Sequence, residues 1–393
     1  MIEREITPYL KKAASEYPVV TVTGPMQSGK TTLVKMVFPE KVYYSLEAPD
    51  IRSIAFSDPR GFLAEGGSRG MIIDEVQHLP QLLSYIQVMV DERKVPGSFI
   101  LTGSHQPRLH EAIAHQSLAG RVNIIRLLPF SISEVKKYHV QIDPFDLIFR
   151  GFYPAIYEEK LSVGEFYRNY IETYVERDVR SIANIHDLFR FQQFMILLAG
   201  RTGQILNYSS ISNDLGISVN SVKNWISVLL SSYLVFILPP YYINIRKRVV
   251  KSPKIYFTDV GLGSFLLGIK SPDQVKYHPL RGNLYENMVI VEIIKSFYNK
   301  GNRPDIYFFR DSRGNEIDLV IRISRGLILI EIKSASTFTP EFLKSFEKFK
   351  RVTAEPVIKE ILFYNGEQNF KIKGVKVLNP LSVKNLWNEV IEE

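Results

Sequence analysis

The chain has 393 residues, of which 45% are hydrophobic and 23% charged, and it contains no cysteine. That length exceeds one ordinary core and points to roughly two or three domains, while the composition excludes extensive disorder and the missing cysteine excludes disulfides and thiolate metal sites. Forty-nine Lys and Arg against 41 Asp and Glu give a formal charge of +8, which favours polyanionic partners.

The start, MIEREITPYLKK, has acidic residues near the first methionine and no apolar block behind a basic stretch, so it does not read as a secretory leader. The longest apolar tract, Trp225 to Leu238, is broken by Ser227, Ser231 and Ser232 and ends at Pro239, short of the roughly 18 residues of a spanning helix. A buried helix followed by a strand is expected there, in a cytoplasmic protein that does not enter a membrane.

From Pro18 to about Pro129 the runs VVTVT, KVYYSL, MIIDE, SFILTGS and VNIIRL alternate with helical stretches. Five short buried strands with helices between them predict a mostly parallel α/β sheet. The first strand leads into Gly24, Pro25, Met26, Gln27, Ser28, Gly29, Lys30, Thr31 and Thr32, which fit G-x-x-x-x-G-K-[ST] and open a helix. The glycines let backbone amides wrap phosphate oxygens and the helix N-terminus adds its dipole; Lys30 reaches the β and γ phosphates, and the Thr31 hydroxyl binds Mg²⁺. ATP or ADP with Mg²⁺ is therefore the expected ligand. The strand MIIDE ends in Asp74 and Glu75, with Asp74 lying 44 residues beyond Lys30 (74 − 30). Asp74 is placed to hold the magnesium through water and Glu75 to polarise the attacking water.

On these motifs, residues 1 to about 135 resemble an AAA+ ATPase of a branch common in prokaryotes. The resemblance implies ATP hydrolysis, assembly into a homo-oligomer, and a polar γ-phosphate sensor at the end of the next strand, where FILTGS offers Ser104 first and Thr102 second. It also implies an arginine that completes a neighbouring subunit's site, and Arg121 in SLAGR holds the similar position; pairing with an acid such as Glu134 is the alternative for Arg121. Gly151-Phe152-Tyr153-Pro154 resembles, with one inserted residue, the turn that related ATPases place over the adenine.

The next segment is expected to be helical: in GEFYRNYIETYVERDVRSI, Phe166, Tyr170, Ile171, Tyr174 and Val175 recur at helical spacing. SSISNDLGISVNSVKNWISVLL then reads as a short helix, a turn at Gly216 and a second helix, a helix-turn-helix outline, with VFILPPYYINI and KIYFT as strands of a wing. Lys223 on the second helix and Arg246, Lys247, Arg248, Lys251 and Lys254 in the wing are candidate contacts to the phosphates of DNA. A lid or subunit contact on the ATPase core is the competing role for this module.

Beyond the polar connection SPDQVKYHPL a last α/β unit begins. In EIDLVIRI-SR-GLILIEIK, taking Ser324 and Arg325 as the two turn residues makes cross-strand partners sum to 649, so Asp318 opposes Glu331 (318 + 331 = 649). Opposed carboxylates are unfavourable unless neutralised. A divalent cation would do this, with Lys333 on the same face and Glu286 on the preceding helix as a third acid. The arrangement resembles the PD-(D/E)xK nuclease fold, which implies that Asp318, Glu331 and Glu286 hold Mg²⁺ and Lys333 orients or activates water. A surface ion pair between Glu331 and Lys333 is the plainer reading.

The expected fold class is thus α/β, with a P-loop AAA+ parallel sheet core over 1–135, a helical module over 136–205, a winged helix over 206–270 and a nuclease-like α/β domain over 271–393. The expected function is Mg-dependent ATP hydrolysis coupled to DNA binding or processing. The rival is a nucleotide-state switch or protein-remodelling ATPase whose nuclease-like domain is non-catalytic and recruits protein partners.

Overall fold

A computed structural model of the chain describes residues 2–104, 120–138, 142–175, 187–242 and 252–392. They form two compact units. The first comprises Met1–Phe130 with the short segments Ser231–Tyr233 and Tyr298–Asn302; the second comprises Ser131–Leu230, Leu234–Phe297 and Arg303–Glu393.

In the first unit, β1 (Val19–Thr23), β2 (Val42–Ser45), β3 (Met71–Asp74), β4 (Phe99–Gly103) and β5 (Val122–Arg126) build a parallel sheet in the order β2-β3-β4-β1-β5. Alternation along each strand decides which layer a side chain serves. Val19, Met71, Ile73, Phe99 and Leu101 pack with Phe62, Leu83 and Ile86 on one face. Val20, Val22, Ile72, Ile100 and Ile125 pack with Leu10, Leu33 and Val34 on the other. Because helices cover both faces, the inner strands show no apolar–polar alternation and stay mostly apolar, with Thr21, Thr23 and Thr102 buried among them. Parallel pairing also brings the carboxyl ends of β1, β3 and β4 to one edge of the sheet, where their loops meet. Two later segments join this unit: the Tyr233 hydroxyl donates to Thr23 Oγ1 at 2.9 Å, and Arg126 donates to the Tyr298 hydroxyl at 2.9 Å.

The second unit begins with short helices, among them Pro144–Arg150, Pro154–Glu158 and Val163–Tyr170, the last running into a π-helical turn at Ile171–Val175. Phe166, Tyr167 and Tyr170 are buried and stack around Tyr153. Gly151 caps Pro144–Arg150 at φ 73°, and a Cβ there would strike the Tyr167 hydroxyl and the Asp259 carboxylate. Glycine is therefore required by packing at this turn. Asp259 is buried and accepts from the Phe152 amide at 2.7 Å and the Tyr167 hydroxyl at 2.6 Å; burial still pushes its carboxyl above the usual range.

Helices Tyr208–Leu215 and Val219–Ser231 flank Gly216, which takes φ 62° as the left-handed cap. They are followed by the antiparallel pair β6 (Val235–Leu238) and β7 (Lys254–Phe257). Helix Arg281–Asn299 carries Asn287, whose amide stitches both backbone groups of Phe257 at 2.7 and 3.0 Å and also accepts from Thr202. Strands β8 (Ile306–Arg310), β9 (Glu316–Ile323), β10 (Gly326–Lys333), β11 (Val357–Tyr364), β12 (Phe370–Ile372) and β13 (Val375–Leu378) form a mixed sheet in the order β12-β13-β11-β10-β9-β8. Val320, Leu327, Leu329 and Leu362 face Phe346 and Phe349, residues of helix Lys344–Lys350.

Candidate functional site

The phosphate-binding motif occupies the turn from β1 into helix Lys30–Val37. Gly24 has φ 151°, and a Cβ there would collide with the carbonyl oxygen of Leu127; Gly29 caps the helix at φ 90°. Both glycines are thus fixed by backbone geometry and close approach. Gln27, exposed at the loop crest, also takes positive φ, at 59°. Pro25 is buried, Met26 half-buried and Thr32 exposed on the first helical turn. The Lys30 ammonium is 5% exposed and donates to the carbonyls of Gly24 and Pro25 at 3.1 and 2.9 Å, which holds its head within the loop.

Arg4, far upstream, clamps the same loop from behind. Its buried guanidinium donates to the Ser28 carbonyl at 2.9 Å and the Leu128 carbonyl at 2.8 Å, and lies over the Phe130 ring. Nothing periodic in the sequence marks this residue.

Asp74, at the end of β3, lies two strands from β1, a distance of about 10 Å at ordinary strand spacing, and hydroxyls close the gap. Thr31 Oγ1 is 3.0 Å from both Asp74 oxygens, the Tyr43 hydroxyl donates to Oδ2 at 2.8 Å, and Thr102 on β4 donates to Oδ1. Burial and the adjoining carboxylate raise the Tyr43 pKa, which keeps that hydroxyl protonated as a donor. Oxygen donors of this kind suit a hard cation beside phosphate, and the buried hydroxyl of Ser28 has no hydrogen-bond partner of its own. Residues and chemistry therefore fit Mg²⁺, with Thr31 and Asp74 as its holders.

Glu75 takes left-handed φ 52°, ψ 50°, a conformation that costs a non-glycine residue energy and clusters at functional positions. Its amide donates to Thr102 Oγ1 at 3.1 Å, and its carboxylate accepts from Ser104 Oγ at 3.0 Å and from Gln77. Ser104 thus touches Glu75, and Thr102 touches Asp74. Gln77 and Tyr43 were not anticipated from the sequence.

Arg121 lies elsewhere. Register pairs Val19 with Val122 and Thr23 with Arg126, so Arg121 stands at the amino edge of the sheet, about 16 Å of strand from the loop. It pairs with an acid, Asp91, with the two side chains 36% and 37% exposed. Glu134 closes a capping box with Ser131.

The hairpin in the second unit keeps the 649 register from Ile323↔Gly326 to Leu319↔Ile330. At the next step the Asp318 side chain takes over from the ladder and accepts the Ile332 amide at 2.8 Å. Lys333 Nζ lies 3.3 Å from Asp318 and 2.6 Å from Glu331. Burial, then the neighbouring Asp318, pushes the Glu331 carboxyl up to about 8. Burial alone would lower Lys333, but the two acids outweigh it and raise its pKa.

Two expectations for this region need correction. Lys254 is not a solvent-facing wing cation: its side chain is 4% exposed and pairs with Glu286 at 3.1 Å and Glu316 at 2.5 Å. Glu286 is accordingly taken by Lys254 and the Tyr256 hydroxyl, and among the described residues no three His, Asp or Glu side chains group to share one cation. Burial, only partly offset by Lys254, pushes Glu286 up to about 7. The buried ion pair forms because β7 passes under the helix bearing Glu286, a placement invisible in the local pattern. Lys223 is exposed, with its ammonium 5.8 Å from the Tyr208 ring centroid. Arg246, Lys247, Arg248 and Lys251 lie outside the described residues.

No helix among the described residues is long and apolar enough to cross a membrane. Comparison with known proteins gives three family matches in chain order: an AAA domain over residues 16–136, a domain of unknown function (DUF8612) over 142–273, and a second (DUF4143) over 281–383. An uncharacterized protein of Mycobacterium tuberculosis is 28% identical over 381 residues, 96% of this chain and 83% of its own length. One from Methanocaldococcus jannaschii is 24% identical over 405 residues, covering 89% and 82%. Among solved structures, a Walker-type ATPase of Pyrococcus abyssi matches with TM-score 0.46 and 14% identity over 67% of this chain and 94% of that one. The Thermotoga maritima RuvB Holliday junction branch migration motor matches with TM-score 0.30 and 17% identity over 60% and 89%. With the phosphate loop, Asp74 and the parallel sheet in place, residues 16–136 are an AAA-type P-loop ATPase domain.

Proposed function

We propose that the chain is a Mg²⁺-dependent ATPase that couples hydrolysis to DNA binding or processing by its carboxyl-terminal part. The observation that carries this reading is the convergence of Lys30, Thr31 and Asp74 at the phosphate loop. Loop amides and Lys30 bind the phosphates of ATP, and Thr31 and Asp74 hold the cation, which when bound withdraws charge from the β and γ oxygens. Glu75 orients and activates the attacking water, and Ser104, hydrogen-bonded to it, senses the γ phosphate. Arg121, remote from its own loop along the strand, serves the site of a neighbouring copy in a homo-oligomer. An Arg121→Ala protein whose turnover still matches wild type at every protein concentration would remove that role.

Residues 206–270 act as a winged helix in this reading, with Lys223 and the wing cations Arg246, Lys247, Arg248 and Lys251 meeting DNA phosphates. Residues 271–393 act as a nuclease-like domain, supported by the Asp318, Glu331 and Lys333 grouping. Single- or double-stranded DNA should raise the ATPase rate of wild type, and Lys30→Ala should show no rate to raise. A second reading is favoured by one observation: Lys333 and Lys254 already neutralise the acids of the carboxyl-terminal cluster, as expected of a domain that recruits protein. Stimulation by a polypeptide and not by DNA would select it.

A further inference from the structure

Past β3 the chain turns sharply. Glu75 takes its left-handed conformation, its amide is pinned to Thr102 Oγ1, and Val76, Gln77 and His78 form one turn of 3-10 helix behind it, closed by the His78 amide donating to the Glu75 carbonyl at 3.1 Å. Val76 and Leu79 are buried in the core on either side of Gln77. Held this way, the Gln77 side chain reaches back to the residue two places before it. Its amide nitrogen donates to Glu75 Oε2 and to Ser104 Oγ at 3.3 Å, while Ser104 Oγ donates to the same Glu75 oxygen at 3.0 Å. Carboxylate, hydroxyl and amide close a small ring of hydrogen bonds that ties the end of β3 to the end of β4.

Counting hydrogens shows what the amide adds. A serine hydroxyl has one hydrogen to give and a primary amide nitrogen has two. Ser104 spends its only one on Glu75; Gln77 spends one on Glu75 and one on Ser104. The amide cannot turn over, because its carbonyl oxygen would then face the carboxylate. In the orientation it keeps, Oε1 is buried without a hydrogen-bond partner among the described residues, on a side chain 9% exposed. An unmet buried acceptor destabilises a fold, so stability does not account for glutamine at this position.

We propose that Gln77 is a positioning residue for ATP hydrolysis: its amide fixes the Glu75 carboxylate and keeps it hydrogen-bonded when Ser104 turns its single hydrogen to the γ phosphate. The inference rests on the reading of Glu75 as the group that activates water and of Ser104 as the γ-phosphate sensor, and it gives a task to a residue that reading leaves without one. As Ser104 turns away, one lone pair of Glu75 Oε2 becomes available to the attacking water. The remaining donor, on Gln77, holds the carboxylate in place for that water. Gln77 acts through Glu75 and touches neither phosphate nor water. A hydrogen bond to a charged group is among the stronger ones, and its loss should lower turnover roughly ten- to a hundredfold.

The test uses the full chain with Gln77→Met, which keeps the length of the side chain and removes both donors together with the unmet carbonyl, and with Gln77→Leu as a second variant. Steady-state ATPase assays should show kcat reduced roughly ten- to a hundredfold with KM within about twofold of wild type. Calorimetric affinity for Mg·ADP should be unchanged, whereas affinity for ADP with aluminium fluoride, which imitates the phosphoryl group in transfer, should fall by the same factor as kcat. The unfolding midpoint followed by circular dichroism should equal or exceed that of wild type, because a buried unmet acceptor has gone; a merely structural brace would lower it. Since both side chains act on one carboxylate, the loss in Gln77→Met/Ser104→Ala should be smaller than the product of the two single losses. Wild-type kcat in both Gln77 variants, or a kcat loss matched by equal loss of ADP affinity and a lower midpoint, overturns the positioning role. Losses that multiply in the double variant overturn the shared carboxylate. Wild-type turnover in Glu75→Gln overturns the reading of the base itself and the inference with it, whereas a dead Glu75→Gln beside fully active Gln77 variants overturns the inference alone.

Discussion

Replacing Lys254 by methionine keeps the length of the side chain and deletes one buried charge. The ammonium, 4% exposed, sits 3.1 Å from Glu286 and 2.5 Å from Glu316. Removing one partner of a buried pair costs about 3–5 kcal/mol, because the charge left behind stays desolvated. Glu286, at 12% exposure and already pushed up to about 7 beside Lys254, meets that cost by binding a proton, whereas Glu316, at 28%, regains part of its hydration. The expected loss is therefore near the lower end, about 3 kcal/mol. Both tryptophans, Trp225 and Trp387, belong to the second unit, so urea unfolding followed by tryptophan fluorescence reads that unit. At a slope of about 2–3 kcal/mol per molar, the midpoint should fall by roughly 1 M. Adding Glu286→Gln should recover part of the fall by removing the carboxyl that must otherwise take up a proton. A Lys254→Met midpoint within roughly 0.2 M of wild type would refute the view that this ion pair braces β7 against helix Arg281–Asn299.

Further outcomes can be measured on the same protein. Glu331 holds its proton up to about 8 in the folded chain against an ordinary 4.5, so the folded state binds more protons than the unfolded one between those values, and stability of the second unit falls as pH rises through that window. Glu331→Gln should flatten this fall by at least about 1 kcal/mol in urea titrations from pH 5 to 8; an unchanged pH profile would count against the burial of that carboxyl. Arg4→Met deletes two buried charge-assisted hydrogen bonds, one to the phosphate loop, and should weaken calorimetric ATP binding at least about tenfold; wild-type affinity would show that the loop needs no clamp. Tyr43→Phe removes one donor to Asp74 and should lower kcat about two- to tenfold, while the Kd for ATP without magnesium stays put; equal loss in both would mean a purely structural effect.

Much of the fold is legible in the sequence because burial on both faces of a parallel sheet leaves mostly apolar runs without alternation, as in Val19–Thr23 and Met71–Asp74. The hairpin register is equally legible, since a two-residue turn at Ser324 and Arg325 fixes every pair after it. What escapes is chemistry carried by single residues far apart in the chain. Arg4 meets Ser28 across 24 residues, and Tyr43 meets Asp74 across 31; neither contact has a spacing rule behind it. Lys254 misleads for a physical reason. It follows a basic stretch and looks solvated, yet β7 is buried along its whole length, and only partners 32 and 62 residues away, Glu286 and Glu316 (286 − 254 and 316 − 254), make its charge tolerable there.

The phosphate loop is tested most directly by isothermal titration of Mg·ATP and Mg·ADP into the folded full chain and into its Lys30→Ala variant. Saturable heat of binding in wild type, reduced by at least about tenfold when the ammonium is gone, is the predicted result. Absence of heat with wild type, or binding that Lys30→Ala leaves unaltered, would contradict the assignment of residues 24–32 as a triphosphate cradle.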